Sequence, residues 1–150
     1  KLNCKEIWQN KIIQSISSKT TANKKQDFVT GEKKDNRFEI KGSAFSGHIS
    51  LNPATTSYFT PDFLKRNVWI STQNGTPLEV KAKEIQTLNV MSERELIPAT
   101  KWEVTGDLKL SLYYDEIGNW VSSSFFAGGS EAKFVLSQRS GSLHEVWNLQ

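Results

Sequence analysis

The chain reads as a mainly β protein, an antiparallel meander forming a strongly curved sheet or partly open β-barrel, with one short helix near residues 61–66. Three observations predict this. From Ala99 to Gln138, apolar residues alternate with polar ones: Trp102 and Val104 against Lys101, Glu103 and Thr105, then Leu108, Leu110, Leu112 and Tyr114 against Lys109, Ser111 and Tyr113, then Ala132, Phe134 and Leu136. That period of two is the mark of half-buried strands. The breaks at Gly106-Asp107, Asp115-Glu116-Ile117-Gly118 and Ala127-Gly128-Gly129-Ser130 are too short for a crossover, so neighbouring strands run antiparallel. Finally, no window of about 11 residues holds helical spacing.

The other elements follow in order. Ile7-Trp8 and Ile12-Ile13 flank Asn10-Lys11, which predicts two short strands around a turn where Asn accepts the left-handed conformation and Lys does so less readily. Ala22-Asn23-Lys24-Lys25 predicts the next turn and Phe28-Val29-Thr30 a strand. Gly31 to Asn36 reads as a charged loop, and Phe38 and Ile40, alternating with Glu39 and Lys41, as another strand. Between Gly42 and Tyr58 the breakers Gly42, Gly47 and Pro53 leave no sustained period, predicting a surface loop with a brief strand at His48 to Leu51. Thr60-Pro61-Asp62 supplies a hydroxyl cap, a proline suited to the first helical position and an acid near the positive end of the dipole. Phe63 and Leu64 would be the buried side of that helix, and Arg66-Asn67 would end it. Val68-Trp69-Ile70 has strand composition, and Gln73-Asn74-Gly75 is the strongest hairpin signal in the chain. Leu78, Val80 and Ala82 alternate behind it, Ile85 to Met91 continues as a strand, and Ser92-Glu93-Arg94-Glu95 turns into Leu96-Ile97.

At 150 residues and 17.0 kDa the chain is expected to be one antiparallel β domain, 1–150, with no second core. Its 19 basic and 16 acidic residues are spread along the chain and leave a net charge of +3. Lys24-Lys25 and Lys33-Lys34 read as basic turns on a solvated surface, not as a nucleic-acid site. The single Cys4 excludes an internal disulfide and a cysteine zinc site. No apolar run approaches the ~20 residues of a membrane helix, so no transmembrane segment is expected. The chain begins at Lys1, as it would after removal of a leader, after trimming or in an incomplete sequence.

Little of this points to catalysis. His48 and His144 are far apart and fit no metal-ligand spacing, no cofactor fingerprint is present, and Gly128-Gly129-Ser130 lies between strands as a turn. Among the carboxylates Glu6, Asp62, Glu103, Asp107 and Asp115, the last two at Asp107 and Asp115 follow turn rules. Thr55-Thr56-Ser57 offers hydroxyls with no base placed nearby by sequence. The aromatic inventory is larger, and its five tryptophans and Phe59, Phe63, Phe125 and Phe126 either form core or line a cavity for an apolar ligand. Trp69, Trp102, Trp120, Tyr58 and Phe63 are the candidate ligand-binding residues. If Trp120 faces the core, its truncation to alanine costs about 3–5 kcal/mol.

NPATTSYFTPDFL at 52–64, STQNGTPLEV at 71–80, the run from IPATKWEV through TGDLKLSLYYDEIGNWVSSSF, and AKFVLS near the end occur in an order that resembles the bacterial family catalogued as domain of unknown function 6134. Glu6-Ile7-Trp8-Gln9-Asn10 is similar to that family's Glu-x-Trp turn, with Lys11 where Gly is usual. The motif positions so marked are Thr55, Thr56, Gly75, Gly106, Asp107, Asp115, Gly118 and Trp120. The family has no assigned activity. Its members look like exported bacterial proteins, so the resemblance implies a periplasmic or otherwise exported protein. Their further N-terminal strands imply an edge beside Lys1 to Trp8, to be filled by the strand-like tail Leu143 to Trp147 or by a second polypeptide. The expected function is non-catalytic binding, on the curved sheet, of an apolar ligand, as in lipid carriers, or of a protein partner. One alternative is a structural or assembly subunit of a larger envelope complex. Another is a hydrolase-type enzyme working through Thr55, Thr56, Tyr58, Asp62 and Asp115.

Overall fold

A computed structural model describes residues 2–50, 52–92, 94–127, 130–135 and 147–149. The protein is mainly β, as the alternation predicts, and its strands fall into two sheets, neither closed into a barrel. The chain divides into two compact units. One consists of the residues up to Ser57 together with Arg66–Leu78, and the other of Tyr58–Lys65 together with the chain from Glu79 onward.

In the first unit β1 (Leu2–Gln9), β2 (Ile12–Ala22), β3 (Lys25–Lys34), β4 (Arg37–Gly42) and β5 (Ser46–Ser50) form an antiparallel meander in that spatial order. The first two turns use left-handed pairs, Asn10 and Lys11 at φ 51° and 62° and Asn23 and Lys24 at φ 50° and 68°. Their twist matches that of the flanking strands, and the long pairing of β1, β2 and β3 holds the lysines where glycine would be the easier choice.

The segment Gly31 to Asn36 is not a loop. β3 runs on to Lys34 and turns only at Asp35-Asn36. The charges mislead because most of them are strand residues of the solvent face: Glu32 pairs with Lys34 at 3.5 Å, and on β4 Arg37 pairs with Glu39 at 3.1 Å, while Lys33, opposite Phe38, falls on the other face near the end of the strand. Gly31 belongs to the other face, where an added β carbon would stand 2.6 Å from a Phe38 ring carbon and 2.9 Å from Ile16. That inner face gathers Ile13, Ile16, Val29, Phe38, Ile40 and Ile70, with Trp8, Phe45 and Ile49 at its margin.

The stretch read as a loop between Gly42 and Tyr58 contains β5, which starts earlier than the brief strand expected there, and β6 (Ala54–Thr55). β6 pairs with β7 (Val68–Ile70) in parallel, a departure from the antiparallel expectation. The intervening residues 56–67 are about the dozen a parallel crossover needs. They contain the expected short helix, a 3₁₀ helix at Pro61–Lys65, with Thr60 Oγ1 accepting from Asp62 N at 3.3 Å and Phe63 and Leu64 buried.

Gln73-Asn74-Gly75 does not make a two-residue hairpin. Of the three, Gly75 alone has positive φ, 85°, and the turn spans Ser71 to Thr76, with Ser71 N donating to Thr76 O at 2.9 Å. Asn74 serves that wider turn: its side chain accepts from Thr76 N at 3.1 Å and its carbonyl accepts from Ala44 N at 3.1 Å.

In the second unit β8 (Pro77–Ser92, from Glu79 on), β9 (Glu95–Gly106), β10 (Leu110–Asp115), β11 (Trp120–Ala127) and β12 (Ser130–Val135) form the predicted antiparallel meander. β8 is continuous, and a register shift between Glu84 and Gln86 leaves Ile85 bulged and exposed. Leu108 falls before β10, which is buried on both faces from Leu110 to Tyr114, not half-buried. A central strand of a meander can be covered on both sides, and Ser111 and the serines of β11, buried from Ser122 to Ser124, are small enough for that. Val90, Ala99, Tyr113 and Val121 form an apolar cluster of this unit. Residues 128, 129, 136 and 143–146 lie outside the described residues, so the glycine turn and most of the strand-like tail do too. Trp147 and Asn148 are helical.

Candidate functional site

Two motifs far apart in sequence meet at one carboxylate of the first unit. β1 alternation turns Glu6 and Trp8 toward the inner face, and β6 brings Thr55, fully buried, to the same place. Glu6 Oε1 accepts from Trp8 Nε1 at 3.0 Å and from Thr55 Oγ1 at 3.0 Å. Ser57 Oγ lies 2.7 Å from Thr55 Oγ1 and 3.5 Å from the same carboxylate oxygen. Arg66 stacks over the Trp8 ring at 5.8 Å and donates to the carbonyls of Pro53 and Lys11 at 3.1 and 2.8 Å. The cluster ties β1 to β6. The sequence offered Ser57 only as a hydroxyl with no base nearby and Arg66 only as a helix end, because the Glu6 carboxylate and the Lys11 carbonyl that they reach lie about fifty residues away in the chain.

Cys4 Sγ lies 3.5 Å from the other oxygen of Glu6. Although the residue is exposed, partial desolvation of its thiol and then the Glu6 carboxylate push it up to about 12, which keeps it protonated and a poor nucleophile at neutral pH. Among the described residues no three His, Cys, Asp or Glu side chains group as a metal site.

The candidate ligand-binding aromatics are divided between the units. Trp69 is fully buried in the first. In the second, Phe63 is fully buried in a trio with Phe59 and Trp147, ring centres 4.9 to 5.6 Å apart, and Trp147 Nε1 donates to Asp62 Oδ2 at 2.7 Å. Trp102, Trp120 and Tyr58 are half-buried. Trp120 stands 6.1 Å from the Tyr58 ring and donates to Ser122 O at 2.9 Å. A half-buried indole forfeits less on truncation, so Trp120→Ala is expected to cost about 1–2 kcal/mol, below the figure for a core position, by equilibrium denaturation.

Tyr58 itself sits at φ 58°, and its carbonyl accepts from Tyr114 Oη at 2.8 Å. Burial pushes the Tyr58 phenol up to about 12, and burial followed by the neighbouring Tyr58 pushes Tyr114 well above its usual value. The raised Tyr58 value in the folded state means that its contribution to stability is complete below about pH 10 and lost as pH rises through about 12, and Tyr114 shifts in the same direction. Phenolate absorbance of the native protein should therefore lag that of the urea-unfolded chain between pH 10 and 12. Superimposable titrations would show both phenols open to water.

The remaining motif positions serve turns and pairing. Thr56 Oγ1 lies 3.1 Å from Thr72 Oγ1, and Gly75 closes the turn described above. Glu79 N donates to Asp107 Oδ2 and Asp107 N to Glu79 O, both at 2.9 Å, beside Gly106. Asp115 Oδ1 accepts from Ile117 N at 3.1 Å and Asn119 N at 2.8 Å, and Gly118 N donates to Asp115 O at 3.1 Å.

What the first unit leaves open is the outer face and the β1 edge of its sheet. Lys5, Ile7, Ser17, Lys19, Phe28, Thr30 and Lys41 are exposed there. β1 ends the sheet order, and among the described residues its strand partner is β2 alone. A shallow depression runs along this edge, lined by residues that include Cys4, Lys5, Ser17 and Lys19.

A family model described as "Domain of unknown function (DUF6134)" matches residues 1–137, so the chain belongs to that family. No curated protein and no solved structure matches it.

Proposed function

We propose that this family member is an exported, non-catalytic β protein that takes a partner polypeptide along the open edge of its five-stranded sheet, as a subunit of a larger envelope assembly. The supporting observation is the edge itself: β1 has eight residues, exposed at most positions, and is held from behind by the Glu6 cluster. An exposed, rigidly backed edge offers main-chain donors and acceptors to an added strand. The non-catalytic part of the reading is supported by the uses already found for the enzyme candidates. Thr55 hydrogen-bonds Glu6, Thr56 meets Thr72, Tyr58 accepts from Tyr114, Asp62 holds Trp147, and Asp115 caps its own turn. Export rests on the likeness to exported family members and is tested by fractionating the native host.

Photocrosslinking tests the partner reading. A crosslinker at position 7 should give a discrete adduct in the native host, whereas one at position 48 on β5 should not. Equal labelling from both, or none from position 7, would count against it.

A second reading, an apolar ligand, is favoured by the half-buried Tyr58–Trp120 pair. Lipid titration followed by tryptophan fluorescence, with mass spectrometry of gently extracted protein, tests it. An unchanged spectrum with no co-purifying ligand would remove it.

A further inference from the structure

Resting on the edge reading above, we infer that the strand accepted by β1 carries an acidic residue and an apolar residue two positions apart, the acid facing Lys5 and the apolar side chain facing Ile7. The sheet geometry supplies the reason. Lys5 and Ile7 both lie on the outer face, paired with Ser17 and Ser15 of β2, and side chains of an added strand in register with them would point to the same side. Ile7 is 48% exposed, an apolar surface with room for a neighbour.

The charge around this position is of one sign. Lys19, paired with Asn3 and so diagonal to Lys5, and Lys41, in the row Lys5–Ser17–Thr30–Lys41, are exposed on the same face. The two acids of that face, Glu32 and Glu39, are already paired with Lys34 and Arg37. An incoming acid thus meets an attractive field and an incoming lysine a repulsive one. The inner side of the added strand faces Cys4 and Glu6, where a second carboxylate would be repelled and a small polar residue fits.

A second copy of this chain suits the edge poorly. Pairing β1 with itself while keeping inner faces together allows only in-phase registers. The two closest to full overlap set Lys5 against Lys5 or Glu6 against Glu6. Lys5 therefore acts in two ways, opposing self-association and selecting an acidic strand.

The test uses the full chain and two blocked, fluorescein-labelled peptides of alternating threonine and valine, identical except for glutamate or lysine at one central valine position. Anisotropy should show the glutamate peptide binding about five- to tenfold more tightly than the lysine peptide. Lys5→Glu should invert the order, Ser50→Lys on β5 should leave it unchanged, and amide exchange should slow in β1. Circular dichroism confirms that each variant is folded. Equal affinity of the two peptides, with β1 protected, overturns the charge inference and leaves the edge reading standing. No binding of either peptide, or protection confined to β5, overturns both.

Discussion

Trp69→Ala is expected to destabilise the protein by about 3–5 kcal/mol, read from equilibrium urea denaturation. The side chain is fully buried on β7, and its indole nitrogen donates to Arg66 O at 3.0 Å. Truncation would open a cavity the size of the ring system and remove that donor from a carbonyl next to the Arg66 side chain, which itself reaches Pro53, Lys11 and the Trp8 ring. Trp69→Phe keeps most of the volume and should cost less. A loss under ~1 kcal/mol for the alanine variant would mean that the ring lies at the surface.

Gly106→Val should be comparably severe, at least ~3 kcal/mol. Gly106 has φ 109°, which a β-branched residue adopts only under strain, and a β carbon there would collide with the Glu79 carbonyl oxygen. That carbonyl cannot yield cheaply, because it accepts from Asp107 N at 2.9 Å while Glu79 N is held by Asp107 Oδ2. Thr105→Val, one residue earlier and exposed, should stay within about 0.5 kcal/mol of the parent. If the two substitutions behave alike in denaturation, the close approach at Gly106 is not a constraint on folding.

The contrast between the indoles of Trp69 and Trp120 shows how far a sequence discriminates. Both lie in strand-forming segments and both were candidates for ligand or core. The structure buries one fully and leaves the other half open, because β7 places Trp69 inside the first unit whereas Trp120 begins β11 beside a turn. Periodicity marks that a residue has a face. It does not mark what covers that face.

Local chemistry was legible wherever the causes are local. The turn at Asn10-Lys11, the capped 3₁₀ helix after Thr60, the Asp115 turn and the antiparallel order of the last strands all depend on residues within a few positions of one another. Gly31 and Asn74 misled for the opposite reason. Gly31 is small because Phe38 and Ile16 need the space, and Asn74 is drawn into a wider turn whose carbonyl meets Ala44.

The sequence by itself thus determined a mainly β chain, its antiparallel meander, its short helix and its family. Only the tertiary structure decided the parallel pairing of β6 with β7, the burial of β10 on both faces, and the meeting of Glu6 with Thr55 and Ser57. The physical reason is range. Turn dihedrals and strand alternation are set by neighbouring residues, whereas a hydrogen bond between positions 6 and 55 exists only once the sheet has closed the distance between them.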